Sequence, residues 1–424
     1  MKPTVTKSNT SRSEVLRSEP SAVAKLVANL PWLVRYPVWR AREFVRRATE
    51  STAQLHLILV VANHFEPAYN ERPNEFGGFG VEVSIEEQLT QLDRWSVHAR
   101  TIGESVHDHD ETPFRHTNFY PAEQYHPLLL SRLADLQREG LGEVEVHLHH
   151  GINEPDTARN LRRVLVDFRD ALAQEHKCLS REAEGGLPRY AFVHGNWALA
   201  NSAGGRFCGV DEEMQILAET GCYADLTLPS APDVSQVPRI NAIYQCGGPL
   251  NERMPHRFGA NLKVGEAPRL PVILSGPLVF DWRRNKSLVP RPRLENGVLA
   301  QSAPLDLRRL NLWRNARIGI LGRPDWVFIK LHCHAFFLED QSTVIGERMR
   351  RFLEEVLDLA DRTGAFKLHF ASAREAFNLA MAATEGQDDE PHMYRNYRLR
   401  QIMHSESCHR VLEPINPSPT PAAI

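Results

Sequence analysis

The stretch Gly142–Gly151, GEVEVHLHHG, decides how this chain is read. It runs as a strand and then packs His147, His149 and His150 into four positions. Side chains alternate across a strand with a period of two, so His147 and His149 share one face, opposite Val146 and Leu148. Each unpaired buried polar group costs on the order of 1–3 kcal/mol. A buried strand that ends in imidazoles must therefore bring them to partners.

Four other segments repeat the pattern. In LHLILVVANHFEP (Leu55–Pro67), whose aliphatic run marks a buried parallel strand, Ala62, His64 and Glu66 share a face. In FRHTNFYP (Phe114–Pro121), His116, Asn118 and Tyr120 do so. His194 and Asn196 are so placed in YAFVHGNW (Tyr190–Trp197), as are Lys330, His332 and His334 in DWVFIKLHCHAF (Asp325–Phe336). The polar groups gather near the C-terminal ends of the strands, where parallel barrels carry their sites.

Helical spacing separates these strands, as in SIEEQLTQLDRWSVHAR (Ser84–Arg100), with Ile85, Leu89, Leu92 and Trp95 on one face. Strands alternating with helices imply an α/β fold with a parallel sheet. The number of units favours a closed or nearly closed barrel over an open sheet. No G-x-G-x-x-G or G-x-x-x-x-G-K-[ST] follows a strand, which argues against a nucleotide fold. No G-x-S-x-G appears either, which argues against a serine hydrolase.

Three domain assignments follow. Residues 1–50 form a polar tail and an amphipathic basic helix; residues 51–384 form the main domain, with an insertion near 283–312 rich in Pro, Arg and Asn; residues 385–424 form a C-terminal extension, read as partly disordered. The helix carries Lys25, Arg35, Arg40, Arg42, Arg46 and Arg47 and is too charged to span a bilayer. It either caps the main domain, the favoured reading, or lies on an anionic membrane surface with Trp32, Leu33 and Trp39 inserted. A net charge of -3 over 424 residues gives no basic field for nucleic acid. The six cysteines show no C-x-x-C spacing and read as free thiols. No secretory signal is visible, so the expected location is cytoplasmic, with membrane association left to the basic helix.

Imidazoles and a carboxylate are the ligand set of zinc and similar divalent metals. Glu66, His147 and His149 are the candidate metal ligands, with positions left open for water. His332, His64 and His334 are the candidate general acids and bases, since imidazole titrates near neutrality.

The segment Arg115–Gly151, RHTNFYPAEQYHPLLLSRLADLQREGLGEVEVHLHHG, resembles the polysaccharide deacetylase (NodB-like) superfamily in the order and length of its strands and helix. VFIKLHCH (Val327–His334) is similar to that family's late leucine–histidine motif, and FASAREAFNLA (Phe370–Ala380) to its closing helix. HLHHG and FVHGNWALANS are similar to deacetylase-like proteins of bacterial surface-polysaccharide loci. The resemblance implies a distorted (β/α) barrel of the glycoside hydrolase/deacetylase type with an N-terminal helical extension, a divalent metal, and removal of acetyl groups from N-acetylated sugars. It places Glu66 near the metal carboxylate, His149 on the first metal histidine and His332 on the general acid. His116, Tyr120, His150, His194, Asn196 and Trp197 are then candidate carbohydrate contacts, with Trp197 and Trp282 offering ring faces.

The first motif reads NHFEP where the family has adjacent aspartates, and Asn153 stands where a second metal histidine is expected. Two alternatives therefore remain. One is a non-catalytic glycan-binding or assembly protein. The other is a glycoside hydrolase pairing Glu66 with Asp108 or Asp110.

Overall fold

The computed structural model describes residues 20–49, 54–69, 82–283 and 291–404. Eleven strands form its large sheet: β1 (Leu55–His64), β2 (His116–Pro121), β3 (Gly142–Leu148), β4 (Tyr190–His194), β5 (Cys222–Asp225), β6 (Ile243–Cys246), β7 (Gly259–Asn261), β8 (Val272–Leu274), β9 (Val298–Leu299), β10 (Trp326–Cys333) and β11 (Phe366–Phe370). Their order is β9-β10-β1-β2-β3-β4-β5-β8-β6-β7, with β11 also on β1. Pairing is parallel from β9 to β8; only β6 joins its two neighbours antiparallel. The expected α/β class holds. Among the described residues strand pairing does not close into a ring, since β9 and β7 are the ends of the path.

β1 is buried along nearly its whole length, as its continuous aliphatic run requires. One edge pairs with β10 from His56 to Asn63. The other is divided, with β11 beside Leu55–Leu59 and β2 beside Ala62–His64.

The period of two then sorts the core. Leu57, Leu59 and Val61 pack in one cluster with Leu92, Trp95, Leu129 and Leu353 from the surrounding helices. Ile58, Val60 and Ala62 pack in another with Phe119, Ala191, Val193 and Phe328. That inner cluster is filled by the helix Ala373–Thr384, whose twelve residues are all buried; its charged members are paired, Arg374 with Glu143 and Glu375 with Arg115. Ser372 and Glu375 form a capping box at its start. The sheet also curves. Lys330 Nζ on β10 donates to the carbonyl of Leu228 beyond β5 at 3.1 Å, and a Cβ on Gly276 beyond β8 would lie 2.6 Å from the Lys330 carbonyl.

The basic N-terminal segment forms two helices, Ala22–Leu33 and Tyr36–Thr49. Trp32 is buried against Ala231, Ile240 and Leu278, with Leu33 and Trp39 packed beside it. Asn29 donates to the carbonyls of Pro232 and Asp233. The favoured capping arrangement is thus the one found, and Trp32 does not insert into a membrane. No helix among the described residues is long and apolar enough to cross one.

The segment expected as an insertion, 283–312, contributes Arg291–Glu295 of a hairpin with Val279–Arg283, then β9 and the start of the helix Leu307–Asn315; residues 284–290 lie outside the described residues. Residues 385–404, expected as an extension, pack on the main body. Arg395 pairs with Asp108 and Glu375, and Arg400–Gln401 pairs with Ser180–Arg181. The polar tail 1–19 and residues 405–424 lie outside the described residues.

Candidate metal centre

β1, β3 and β10 end at the same rim, and their inward residues meet there. The His64 ring lies 4.9 Å from that of His147, 4.6 Å from His334 and 6.4 Å from His332, centroid to centroid. Glu66, just past β1, places Oε1 3.0 Å from His147 Nε2 and 3.2 Å from His149 Nε2. Glu66, His64, His149 and His332 are 5–8% exposed and His147 is fully buried, whereas His334 is half-buried. The six residues expected to hold a metal or move protons are therefore together.

The outer nitrogens decide what this cluster is for. His147 Nδ1 is 2.7 Å from the Val193 carbonyl, which can only accept, so Nδ1 carries the hydrogen. His149 Nδ1 is 2.6 Å from a carboxylate oxygen of Glu123 and donates likewise. In the neutral rings both Nε2 atoms then present lone pairs to one carboxylate oxygen. Three acceptors cannot share such a space without a proton or a cation between them. Donors about 2.0–2.2 Å from one zinc ion lie roughly 3.3–3.6 Å apart; Glu66 Oε1 stands 3.0 and 3.2 Å from the two Nε2 atoms, and one donor atom each of His64, Glu66 and His147 lies within 4.8 Å of the others. Metal-bound histidines characteristically donate their other N–H to a carboxylate or carbonyl, as both rings do here. The residues fit a divalent metal.

The electrostatics agree. Burial, then the neighbouring His334 and His147, hold His64 well below its ordinary pKa, so it is neutral. Burial and the Lys330 ammonium do the same to His332. Its Nδ1 has no hydrogen-bond partner among the described residues. Burial opposes charge on Glu66, yet in the metal-free protein hydrogen bonds with His147 and His149 hold its carboxyl well below the usual range, which requires protons at Nε2 where a metal would otherwise sit. Burial likewise opposes charge on His149, but Glu123 and Glu66 raise it to about 10 in the metal-free protein.

A cleft of about 880 Å³ opens beside this rim, lined by Glu123, Tyr125, His149, His150, Asn153 and Phe168 among others. Its lining reaches the cluster at His149 and does not include His64, Glu66 or His332. Gly195 sets His149 in place. A Cβ there would lie 2.3 Å from His149 Cδ2, so the ring packs directly on this backbone.

Several expected contacts fall elsewhere. Tyr120 and His116 belong to the outward face of β2, not the inner one. Tyr120 is fully buried against Phe65 and donates to the Gln124 carbonyl, and His116 packs against Trp95 and Phe114. His194 also points outward, packed against Phe192, and meets His150 in a second cluster with Cys208 and Glu213. Asn196 and Trp197 are half-buried just beyond β4, and Trp282 is exposed. Asp108 and Asp110 bind Arg395 and the Phe370 amide, at the level where Phe370 pairs with Leu59. That is roughly 17 Å below His64 at about 3.3 Å per residue, so neither partners Glu66 in glycosidic cleavage.

Glu123 was not anticipated. It follows β2 and reaches across to His149, and no local spacing signals such a bond. The segment after β4 is strained: Asn196, Trp197, Ala200, Asn201 and Phe207 all have φ between 47° and 58°. Each such non-glycine residue costs about 1–2 kcal/mol, so contacts outside the segment hold it in shape.

No protein family, no curated protein and no solved structure matches this chain.

Proposed function

We propose that this chain is a metal-dependent hydrolase that removes acetyl groups from N-acetylated sugars of a bacterial polysaccharide or its precursor, on a distorted barrel of the glycoside hydrolase/deacetylase type. One observation carries the reading: His147 and His149, each fixed through Nδ1, aim Nε2 at one oxygen of Glu66. Three protein ligands are the mark of a catalytic rather than a structural zinc site. A bound divalent cation supplies Lewis acidity, which acidifies water toward a pKa of about 7 and polarises a carbonyl. Zinc suits the donor set best.

The remaining residues serve the proton and the sugar. His64, neutral and beside His147, accepts a proton from the attacking water. His332, whose ring lies 6.4 Å from that of His64, passes that same proton on to the departing amine. Tyr125 and Phe168 give the cleft aromatic walls for a sugar ring. The curvature that brings Lys330 to Leu228 supports the barrel, and the motifs at Arg115–Gly151 and Val327–His334 support the deacetylase class.

The cleft lining stops at His149, which favours a second reading, glycan binding without turnover. Metal analysis and acetate release from N-acetylated glycans separate the two. Expected are a metal bound at Glu66 and acetate release, both lost in Glu66→Gln, with acetate release alone lost in His332→Ala. Protein that binds no metal at Glu66 overturns the hydrolase; metal and glycan binding without acetate release favours the second reading.

A partner surface accompanies this function. Val23, Leu26, Val27, Leu30, Val34 and Val38 are 44–70% exposed on the N-terminal helices, beside Arg35, Arg40 and Arg42. Exposed aliphatic side chains rimmed by arginines suit an anionic bilayer surface.

A further inference from the structure

The second cluster lies on the opposite face of the sheet from the first. We infer that His150, His194, Cys208 and Glu213 form a separate, structural site for a divalent transition-metal ion, zinc by its ligand chemistry. His150 Nε2 is 3.0 Å from His194 Nε2 and 3.2 Å from Glu213 Oε1, and His194 Nε2 is 3.5 Å from the same oxygen. Cys208 Sγ is 3.4 Å from Glu213 Oε2. One donor atom from each of the four residues lies within 4.8 Å of all the others. Donors about 2.0–2.3 Å from a shared zinc ion stand roughly 3.3–3.8 Å apart.

The outer atoms of the four are already occupied. His150 Nδ1 donates to Asp156 at 3.0 Å, and His194 Nδ1 donates to the Gly195 carbonyl. The Ala200 amide donates to Glu213 Oε2 at 2.6 Å, and the Val210 amide donates to Cys208 Sγ at 3.5 Å. With both Nδ1 atoms donating outward, two Nε2 atoms and a carboxylate face one another, an arrangement bridged either by one shared proton or by one ion. An ion replaces that proton with four bonds. Gly209, with φ 93°, brings Cys208 into this position; a Cβ there would meet Pro155 at 2.5 Å.

Ligand number assigns the role. This site has four protein donors, three of them fully buried, which leaves no position for substrate. The site at Glu66 has three. The four donors come from the loop after β3, the end of β4, the strained segment 195–209 and the start of the helix Glu213–Thr220. A shared ion ties these together behind His149, whose neighbour Gly195 supplies the carbonyl to His194. The ion holds the strained segment and positions the catalytic rim without touching substrate.

Cobalt substitution tests this, because only this site contains a cysteine. The full-length protein is stripped, reloaded with Co²⁺, and read by metal content and absorption. Expected are two ions per chain and a thiolate-to-cobalt charge-transfer band. Cys208→Ser should lose one ion and the band, whereas Cys178→Ser, a buried thiol outside both clusters, should keep both. Cys208→His should restore the ion count without the band, which separates ligand loss from misfolding. Glu66→Gln should lose one ion and keep the band. One ion with the band in the wild-type chain would retain this site and remove the one at Glu66. A wild-type chain without the band, or a band that survives Cys208→Ser, overturns the inference in favour of a proton-bridged network.

Discussion

Replacing Gly195 by Ala tests the geometry of the candidate metal centre without touching a ligand. The new methyl would stand 2.3 Å from His149 Cδ2, 2.5 Å from Cγ and 2.8 Å from the Leu148 carbonyl oxygen. Ordinary carbon contacts are about 3.5–4.0 Å, so the ring must retreat by roughly 1.2 Å. It cannot turn away freely, because Glu123 holds Nδ1 at 2.6 Å and Glu66 faces Nε2 at 3.2 Å. Functional constellations tolerate about 0.5 Å of displacement. Forcing an extra methyl into a packed site costs about 1–3 kcal/mol, and about 1.4 kcal/mol is tenfold in an equilibrium constant. If that cost falls on the metal-bound state, zinc affinity drops about 5- to 150-fold. Competition against a chromophoric chelator measures it. Gly248→Ala is the control, since its methyl would meet Pro255 at 3.8 Å, an ordinary contact. Wild-type affinity in Gly195→Ala would refute the packing of His149 on this backbone.

Other outcomes follow from charge and burial. Asp110 and Glu375 have folded pKa values held down to about 2: burial opposes ionisation in both, but His369 and Arg395 outweigh it for Asp110, and Arg115 and Arg395 for Glu375. Their stabilising contribution is present above the unfolded pKa values near 4 and is lost as pH falls through about 2; Asp110→Asn should flatten the acid limb of a stability-against-pH curve. Arg309→Met should cost about 3–5 kcal/mol in urea unfolding, because Glu295, bound by Arg309 at 2.8 and 2.9 Å, is left buried without its cation. Co-sedimentation with anionic vesicles should fall sharply in Leu26→Asp with no change in thermal stability, since Leu26 is 57% exposed; unchanged sedimentation would remove the bilayer as partner.

The α/β class was legible because β1, β3 and β10 are long and strongly patterned, and the period of two placed His64, Glu66, His147, His149 and His332 on one side. The same period does not say which side is inward when a strand is buried on both faces. That is why His116, Tyr120 and His194 were expected in the pocket and lie on the outer face. Glu123 and the Cys208–Glu213 pair were hidden for a different reason: each acts across a loop, and loop geometry leaves no periodic trace. The break at Val34–Arg35 left no trace in the helical spacing, which both halves carry, but Pro37 in the first turn of the second helix marks it, since proline lacks the N–H that would continue the first.

The divided edge of β1 has a consequence for how the polypeptide assembles. Its first sheet strand is also among its most central, yet two of its three neighbours, β10 and β11, lie more than 250 residues downstream. Contacts of such sequence separation form slowly. During synthesis the aliphatic edges of β1 therefore stay without β10 and β11 until most of the main body has been made.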